Sequence, residues 1–222
     1  MSHCCSSPSD STAQQFDAPR AARDLATYQR SGPHQTTRGL LAGIATASVR
    51  AESVLDIGAG IGALSFELLE SGVASATCID MSAAFVAGAQ AEALRRGVAH
   101  RMSWQVADFV TIAPSVPVVD VVTLDRVVCC YPAFEALLRA AADHARILLA
   151  LSYPRDRWYV RLLMAADNLI RQVRGNRFRS FVHQVAVMEA LLTSAGFQRA
   201  SRTGTLAWQM DVFRRLKTER CE

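Results

Sequence analysis

The chain has 222 residues, enough for one large domain with a proper core, and half of them are apolar. No apolar run reaches the length of a membrane span, and the stretch Met1 to Pro8 lacks the basic-then-apolar order of a secretory leader, so a cytoplasmic protein is expected. The net charge of +4, carried by arginine with Lys217 as the only lysine, is too small to require a nucleic-acid partner, and none is expected.

Residues 1–15 are Ser-rich, polar and aperiodic and read as a disordered tail. Helical periodicity follows over Pro19–Arg30, where Ala22, Leu25, Ala26 and Tyr28 alternate with charges, and it stops at Ser31-Gly32-Pro33. A second helix is expected from Thr36 to Val49, with Leu40, Leu41, Ile44 and Val49 on one side. Residues 16–50 therefore read as a helical cap ahead of a main domain at 51–222.

Ser53 to Gly62 reads Ser-Val-Leu-Asp-Ile-Gly-Ala-Gly-Ile-Gly. An apolar run that ends in a glycine cluster and restarts as Leu64, Leu68 and Leu69 is a strand–turn–helix unit. Gly58, Gly60 and Gly62 permit positive φ and let a ligand approach bare backbone. The helix Ala63–Glu70 points its free N–H groups at that turn. Asp56 ends the strand, where open α/β sheets bind ligands. Gly58, Gly60 and Ala63 also satisfy the dinucleotide fingerprint G-x-G-x-x-G/A, but an acid at 56 would face a pyrophosphate and suits a cationic ligand better.

The second strand, Ala74–Ile79, closes on Asp80, whose carboxylate can accept from both hydroxyls of a ribose. Met81 follows, then Ser82 as N-cap of a helix over Ala83–Arg96. Arg101–Ala107 is the third strand and ends in Asp108-Phe109. Pro117–Leu124 is a nearly continuous apolar run, the mark of a strand buried on both faces of a parallel sheet. It leads into Asp125-Arg126 and Cys129-Cys130-Tyr131-Pro132, then a helix to His144 and a fifth strand over Ala145–Ser152.

Residues 155–182 form an insertion with a helix over Trp158–Val173. Its arginines (155, 157, 161, 171, 174, 177 and 179) are interleaved with Trp158, Tyr159 and Phe178. Such a segment can read RNA, receive a flat anionic acceptor, or be a solvated face. Phe181-Val182-His183 precedes a helix over Gln184–Ala195, and Phe197–Phe213 holds two β-rich runs around Thr203-Gly204-Thr205. The cysteines fall as Cys4-Cys5, Cys129-Cys130, Cys78 and Cys221, with no C-x-x-C spacing, so no metal site is expected and the thiols are expected reduced.

The Asp-x-Gly-x-Gly-x-Gly pattern of residues 56–62 resembles motif I of class I S-adenosylmethionine-dependent methyltransferases. The second half is similar to the magnesium-protoporphyrin O-methyltransferase group, through Val121-Val122-Thr123-Leu124-Asp125, Tyr131-Pro132, Ile147 to Ser152, Phe181-Val182-His183 and Ala195-Gly196-Phe197. The porphyrin enzymes carry His before their Tyr-Pro, where this chain has Cys130, and the approach from Asp125 is a residue longer, so the resemblance implies the cofactor chemistry but does not by itself imply a porphyrin acceptor.

What the resemblance implies is a Rossmann-like, seven-stranded, mostly parallel sheet with helices on both faces and a C-terminal antiparallel hairpin. It implies S-adenosylmethionine as cofactor and in-line methyl transfer to a small-molecule acceptor. Asp56, Gly58, Gly60 and Gly62 would hold the amino-acid end, with Tyr28 and Arg38 of the covering helices as further contacts. Asp80, Met81 and Ser82 would serve the ribose and adenine edge, and Asp108, Phe109 and the Ala107 N–H the adenine. Asp125, Arg126, Cys130 and Tyr131 would line the edge where methyl meets acceptor. His183, with Tyr131 nearby, is the catalytic candidate to serve or orient the acceptor, because an imidazole titrates near neutrality. Three alternatives stay open: a nicotinamide oxidoreductase, a cofactor-binding or RNA-associated protein without turnover, and a metalloid methyltransferase using Cys4, Cys5, Cys129 or Cys130. A homodimer is compatible with all of them.

Overall fold

The computed structural model describes residues 15–216. The disordered tail expected for residues 1–15 therefore lies, apart from Gln15, outside the described residues, as do Cys4, Cys5 and Cys221.

Seven strands form one sheet: β1 (Ser53–Ile57), β2 (Ser75–Asp80), β3 (Met102–Val106), β4 (Val119–Asp125), β5 (Ala145–Pro154), β6 (Phe197–Gly204) and β7 (Trp208–Arg215). Their order is β3-β2-β1-β4-β5-β7-β6, parallel throughout except for β7, which runs antiparallel to both of its neighbours. This is the expected sheet and closing hairpin. The order reverses between β1 and β4, so the crevice for a ligand opens at the carboxyl ends of those two strands.

The helices are α1 (Ala18–Ser31), α2 (Gln35–Thr46), α3 (Ala63–Glu70), α4 (Ala83–Arg95), α5 (Phe109–Ile112), α6 (Phe134–His144), α7 (Trp158–Val173) and α8 (Val185–Ser194). Local chemistry sets several of their ends. The Asp17 carboxylate accepts from the Arg20 N–H at the start of α1, and Gly32 stops that helix at φ +72°. The Ser82 hydroxyl accepts from the Phe85 N–H at the start of α4.

Strand side chains alternate between two cores. Leu55, Ile57, Val122, Leu124, Leu149 and Leu151 face one core, shared with Leu137 of α6 and Leu192 of α8. Val54, Val121, Leu148 and Ala150 face the other, shared with Leu64 and Leu68 of α3 and with Leu40 and Ile44 of α2. Helix α2 lies close on the sheet because Gly43 lets it: a Cβ there would stand 2.6 Å from Ser201 Oγ and 2.7 Å from Val212 Cγ2. Among the described residues no helix is long and apolar enough to cross a membrane.

Candidate functional site

A cavity of about 340 Å³ opens at the carboxyl ends of β1, β2 and β4. Its floor is the glycine turn. Gly58 and Gly60 hold φ of +65° and +56°, and a Cβ on Gly58 would come within 2.4 Å of Val127 Cγ2. Only a residue without a side chain lets the turn pass under the β4 loop.

Asp80 stands at the edge of this floor. One carboxylate oxygen accepts the Gly60 N–H and the other the Ser82 N–H, each at 2.8 Å. Each oxygen keeps a free lone pair, so the group can still accept from two hydroxyls in the cavity. Burial raises the Asp80 pKa, against the lowering effect of the Ser82 and Gly60 bonds. Met81 and Phe109 also line the cavity, as does Asp108, which caps α5 through the Val110 N–H. The Tyr131 hydroxyl donates to both Asp108 oxygens, at 3.0 and 2.9 Å. Burial, then the Asp108 carboxylate, push the Tyr131 pKa up, so this phenol stays a donor at neutral pH.

Asp56 is not at the cavity. It lies on the same face of β1 as Val54, turned toward α3, where Ser65 Oγ donates to one oxygen at 2.8 Å and Thr123 Oγ1 to the other at 2.7 Å. It is 2% exposed, and burial pushes its carboxyl up to about 7. The cavity carboxylate of this region is Asp125. The register pairs Asp56 with Thr123, which places Asp125 two residues, roughly 6–7 Å, farther toward the open end. It accepts from Thr37 Oγ1 at 2.5 Å and Ser152 Oγ at 2.6 Å. Arg126 follows in the left-handed region at φ +62°, its N–H held by Ser152 Oγ. That is a strained conformation for arginine, and here it turns the chain out along the cavity wall.

Five other expected contacts are not offered to the cavity. Gly62 supplies the N-cap turn of α3, and a Cβ there would meet Phe66 and Trp104 instead of the cavity. The Ser82 hydroxyl donates to the Phe16 carbonyl at 2.6 Å. The Ala107 N–H donates to the Asp80 carbonyl at 3.1 Å. Tyr28 is buried under the Arg96 guanidinium and donates to Glu67, and Arg38 is exposed away from the cavity.

His183 is likewise off the cavity. Its Nε2 stands 3.0 Å from the Val128 carbonyl, and its ring packs on Phe134 at 4.2 Å and Phe181 at 5.7 Å. Burial lowers its pKa, so the imidazole is neutral and braces the 128–131 segment. The Phe181 N–H, donating to the Cys129 carbonyl at 2.7 Å, does the same.

Further residues stand at the cavity or directly behind it. Thr37 reaches Asp125 only because α2 lies flat on the sheet. Phe16 closes one side, edge-on to Phe85 and Phe178. Met164 and Arg171 arrive from α7. Cys129 and Cys130 also line the cavity with their sulfurs 3.6 Å apart. The neighbouring thiol and the guanidiniums of Arg171, Arg126 and Arg20 hold Cys130 below the usual thiol range. Among the described residues, no cluster of His, Cys, Asp or Glu could hold a metal ion.

Residues 54–148 match the family described as Methyltransferase domain. No curated protein matches the chain significantly by sequence. The magnesium protoporphyrin IX methyltransferase of Synechocystis PCC 6803, solved with S-adenosylhomocysteine and with S-adenosylmethionine, is similar in structure, with TM-scores of 0.71 and 0.70. Identity is 19% and 18%, over 95% and 97% of this chain and 100% of that one. An O-methyltransferase family protein from Burkholderia thailandensis reaches a TM-score of 0.68 at 15% identity, over 92% of this chain and 62% of that one. The N-methyltransferase NodS from Bradyrhizobium japonicum WM9 reaches 0.58 at 16%, over 82% and 94%. The family match over residues 54–148, and a fold shared along nearly the whole length with solved methyltransferases, give this chain a methyltransferase domain on a class I methyltransferase fold.

Proposed function

We propose that the chain methylates a small-molecule acceptor bound beside the cofactor in this same cavity. The observation that carries this reading is Asp80, a carboxylate facing the cavity with a backbone N–H on each oxygen and lone pairs left for two more donors. That donor-hungry pair suits the two hydroxyls of an adenosyl ribose. Phe109 and Met81 would enclose the ring, and Asp108 would accept from its amine. Asp125, rather than Asp56, would face the cationic amino-acid end.

When bound, the cofactor supplies an electrophilic methyl carbon on a sulfonium. Such a carbon needs alignment and dry surroundings more than acid–base help. The chain meets that need with a wall of Tyr131, Cys130, Met164 and Phe178 opposite the glycine floor. Tyr131, its one O–H given to Asp108, would offer the acceptor its ring and an oxygen lone pair, and His183 would hold the wall in place. Arg171 and Arg20 at the same cavity suit an acceptor with negative charge.

Calorimetric titration with S-adenosylhomocysteine tests the reading. Wild type takes it up, and Asp80→Asn weakens uptake by about tenfold or more, the loss of one charged hydrogen-bond acceptor. No uptake of that ligand, or preferential uptake of a nicotinamide dinucleotide, overturns it.

A further inference from the structure

Helix α7 is amphipathic the wrong way round for a monomer. Its inner face is small: Val160 is buried, Met164 and Arg171 turn to the cavity, and Asn168 is tied to the Ser180 backbone at 2.8 and 2.9 Å. Its outer face carries Trp158, Leu162, Leu163, Leu169, Ile170 and Val173, each between 50% and 80% exposed. At 3.6 residues per turn these side chains fill one unbroken arc of roughly 140°. Leu206, 84% exposed on the β6–β7 turn, adjoins the arc where the Tyr159 hydroxyl donates to its carbonyl at 2.7 Å. Soluble monomers rarely leave so large a continuous apolar surface in water.

The charge around this face says what covers it. Residues 155–179 hold seven arginines against two aspartates. Asp156 is already paired with Arg161 at 2.6 Å, and Asp167 with Arg171. A second copy is a poor occupant. Two such helices laid side by side, in either direction, bring arginine-rich ends together, since Arg155, Arg157 and Arg161 crowd one end and Arg174, Arg177 and Arg179 the other. The chain's own residues outside the structure are poor occupants too, because residues 1–14 and 217–222 contain no Leu, Ile, Val, Phe, Trp or Tyr.

We propose that the outer face of α7 seats the protein on an anionic membrane surface, with the Trp158–Val173 stripe in the acyl boundary and the flanking arginines on the headgroups. An apolar stripe bordered by arginine on an otherwise soluble body is the composition of an interfacial helix. The inner face of the same helix lines the cavity, so the cavity then stands beside the lipid, and the seat itself does not depend on what the cavity binds.

Flotation with vesicles of defined lipid decides it. The full chain floats with mixed phosphatidylcholine–phosphatidylglycerol vesicles, with a blue-shifted tryptophan emission, stays behind with pure phosphatidylcholine, and is released by salt. The double variant Leu162→Glu/Leu169→Glu loses at least about tenfold in vesicle affinity with an unchanged circular dichroism melt, because both side chains are already in water. Arg161→Gln/Arg174→Gln, which keeps the apolar stripe, also weakens binding to the mixed vesicles. The proposal is overturned by equal binding to pure phosphatidylcholine or by no binding to either vesicle. It is also overturned by a dimer in sedimentation that the leucine variant converts to monomer without any vesicle uptake.

Discussion

The Thr123 hydroxyl donates to the Asp56 carboxylate at 2.7 Å across the β1–β4 pair. Together with Ser65 on α3 it holds this acid inside the packed side of the sheet, away from the cavity. Asp56 is thus a buttress that ties the strand before the glycine turn to its neighbours, and Asp125 is the nearby carboxylate that lines the cavity. Asp56→Asn should leave S-adenosylhomocysteine affinity within about threefold, since an amide can serve both hydroxyls, whereas Asp125→Asn should weaken it about tenfold or more. Side-by-side calorimetry of the two variants checks the assignment.

Two carboxyls give stability opposite pH slopes. Asp56 has its pKa raised from 3.8 to about 7, so the folded state holds a proton that the unfolded state releases. Its contribution is present below about pH 4 and is lost as pH rises to about 7. Glu92 is lowered from 4.5 to about 2, first by its bond with Arg95 and, against burial, by Arg96 and Gln29. Its contribution is present above about pH 4.5 and is lost as pH falls toward about 2. Thermal melts across this range should therefore show Asp56→Asn flattening the neutral limb and Glu92→Gln flattening the acid limb.

Gly58 and Gly97 separate backbone strain from steric conflict. Both have positive φ, +65° and +72°, but a Cβ on Gly97 meets nothing within 4 Å. Gly97→Ala should cost about 1 kcal/mol and leave ligand affinity alone. Gly58→Ala adds a 2.4 Å approach to Val127 at the cavity floor, so it should cost about 1–3 kcal/mol and reduce S-adenosylhomocysteine affinity as well. Chemical denaturation with and without that ligand distinguishes the two.

Asp211 is a third pressure point. It is fully buried on β7, accepts from Tyr153 Oη at 2.5 Å, and is gripped by Arg202 from β6 at 2.8 and 2.9 Å. Asp211→Ala leaves the buried Tyr153 phenol without its acceptor and takes one of two carboxylates from Arg202, which keeps Glu189, so it should cost about 1–3 kcal/mol, and Asp211→Asn less, as read by the urea midpoint.

Most of the fold was legible because its signals are local. Apolar runs closed by Asp or Gly mark β1, β2 and β4, and α7 falls on the residues its periodicity predicts. Asp80, Met81, Asp108, Phe109, Asp125, Arg126 and Tyr131 were legible because the strand tips of such a sheet all point to one crevice, and each lines the cavity. Asp56 was misread because a strand's period of two was not carried through: two residues after Val54, a side chain faces α3 and not the crevice. His183 was misread from residue type alone. Thr37 and Phe16 left no trace in the sequence, since each is brought to Asp125 or to the cavity wall by the packing of a segment distant in the chain, and Arg171 was legible only as one of seven arginines of the insertion.

The Phe16 carbonyl is latched by the Ser82 hydroxyl at 2.6 Å, and Gln15 Oε1 by Asn176 Nδ2 at 2.7 Å. The segment entering α1 is therefore a crossbar between α4 and the loop after α7, clasped at two points over the cavity mouth. Cutting either clasp, with Ser82→Ala or Asn176→Ala, would therefore loosen a wall of the cavity without touching Asp80 itself.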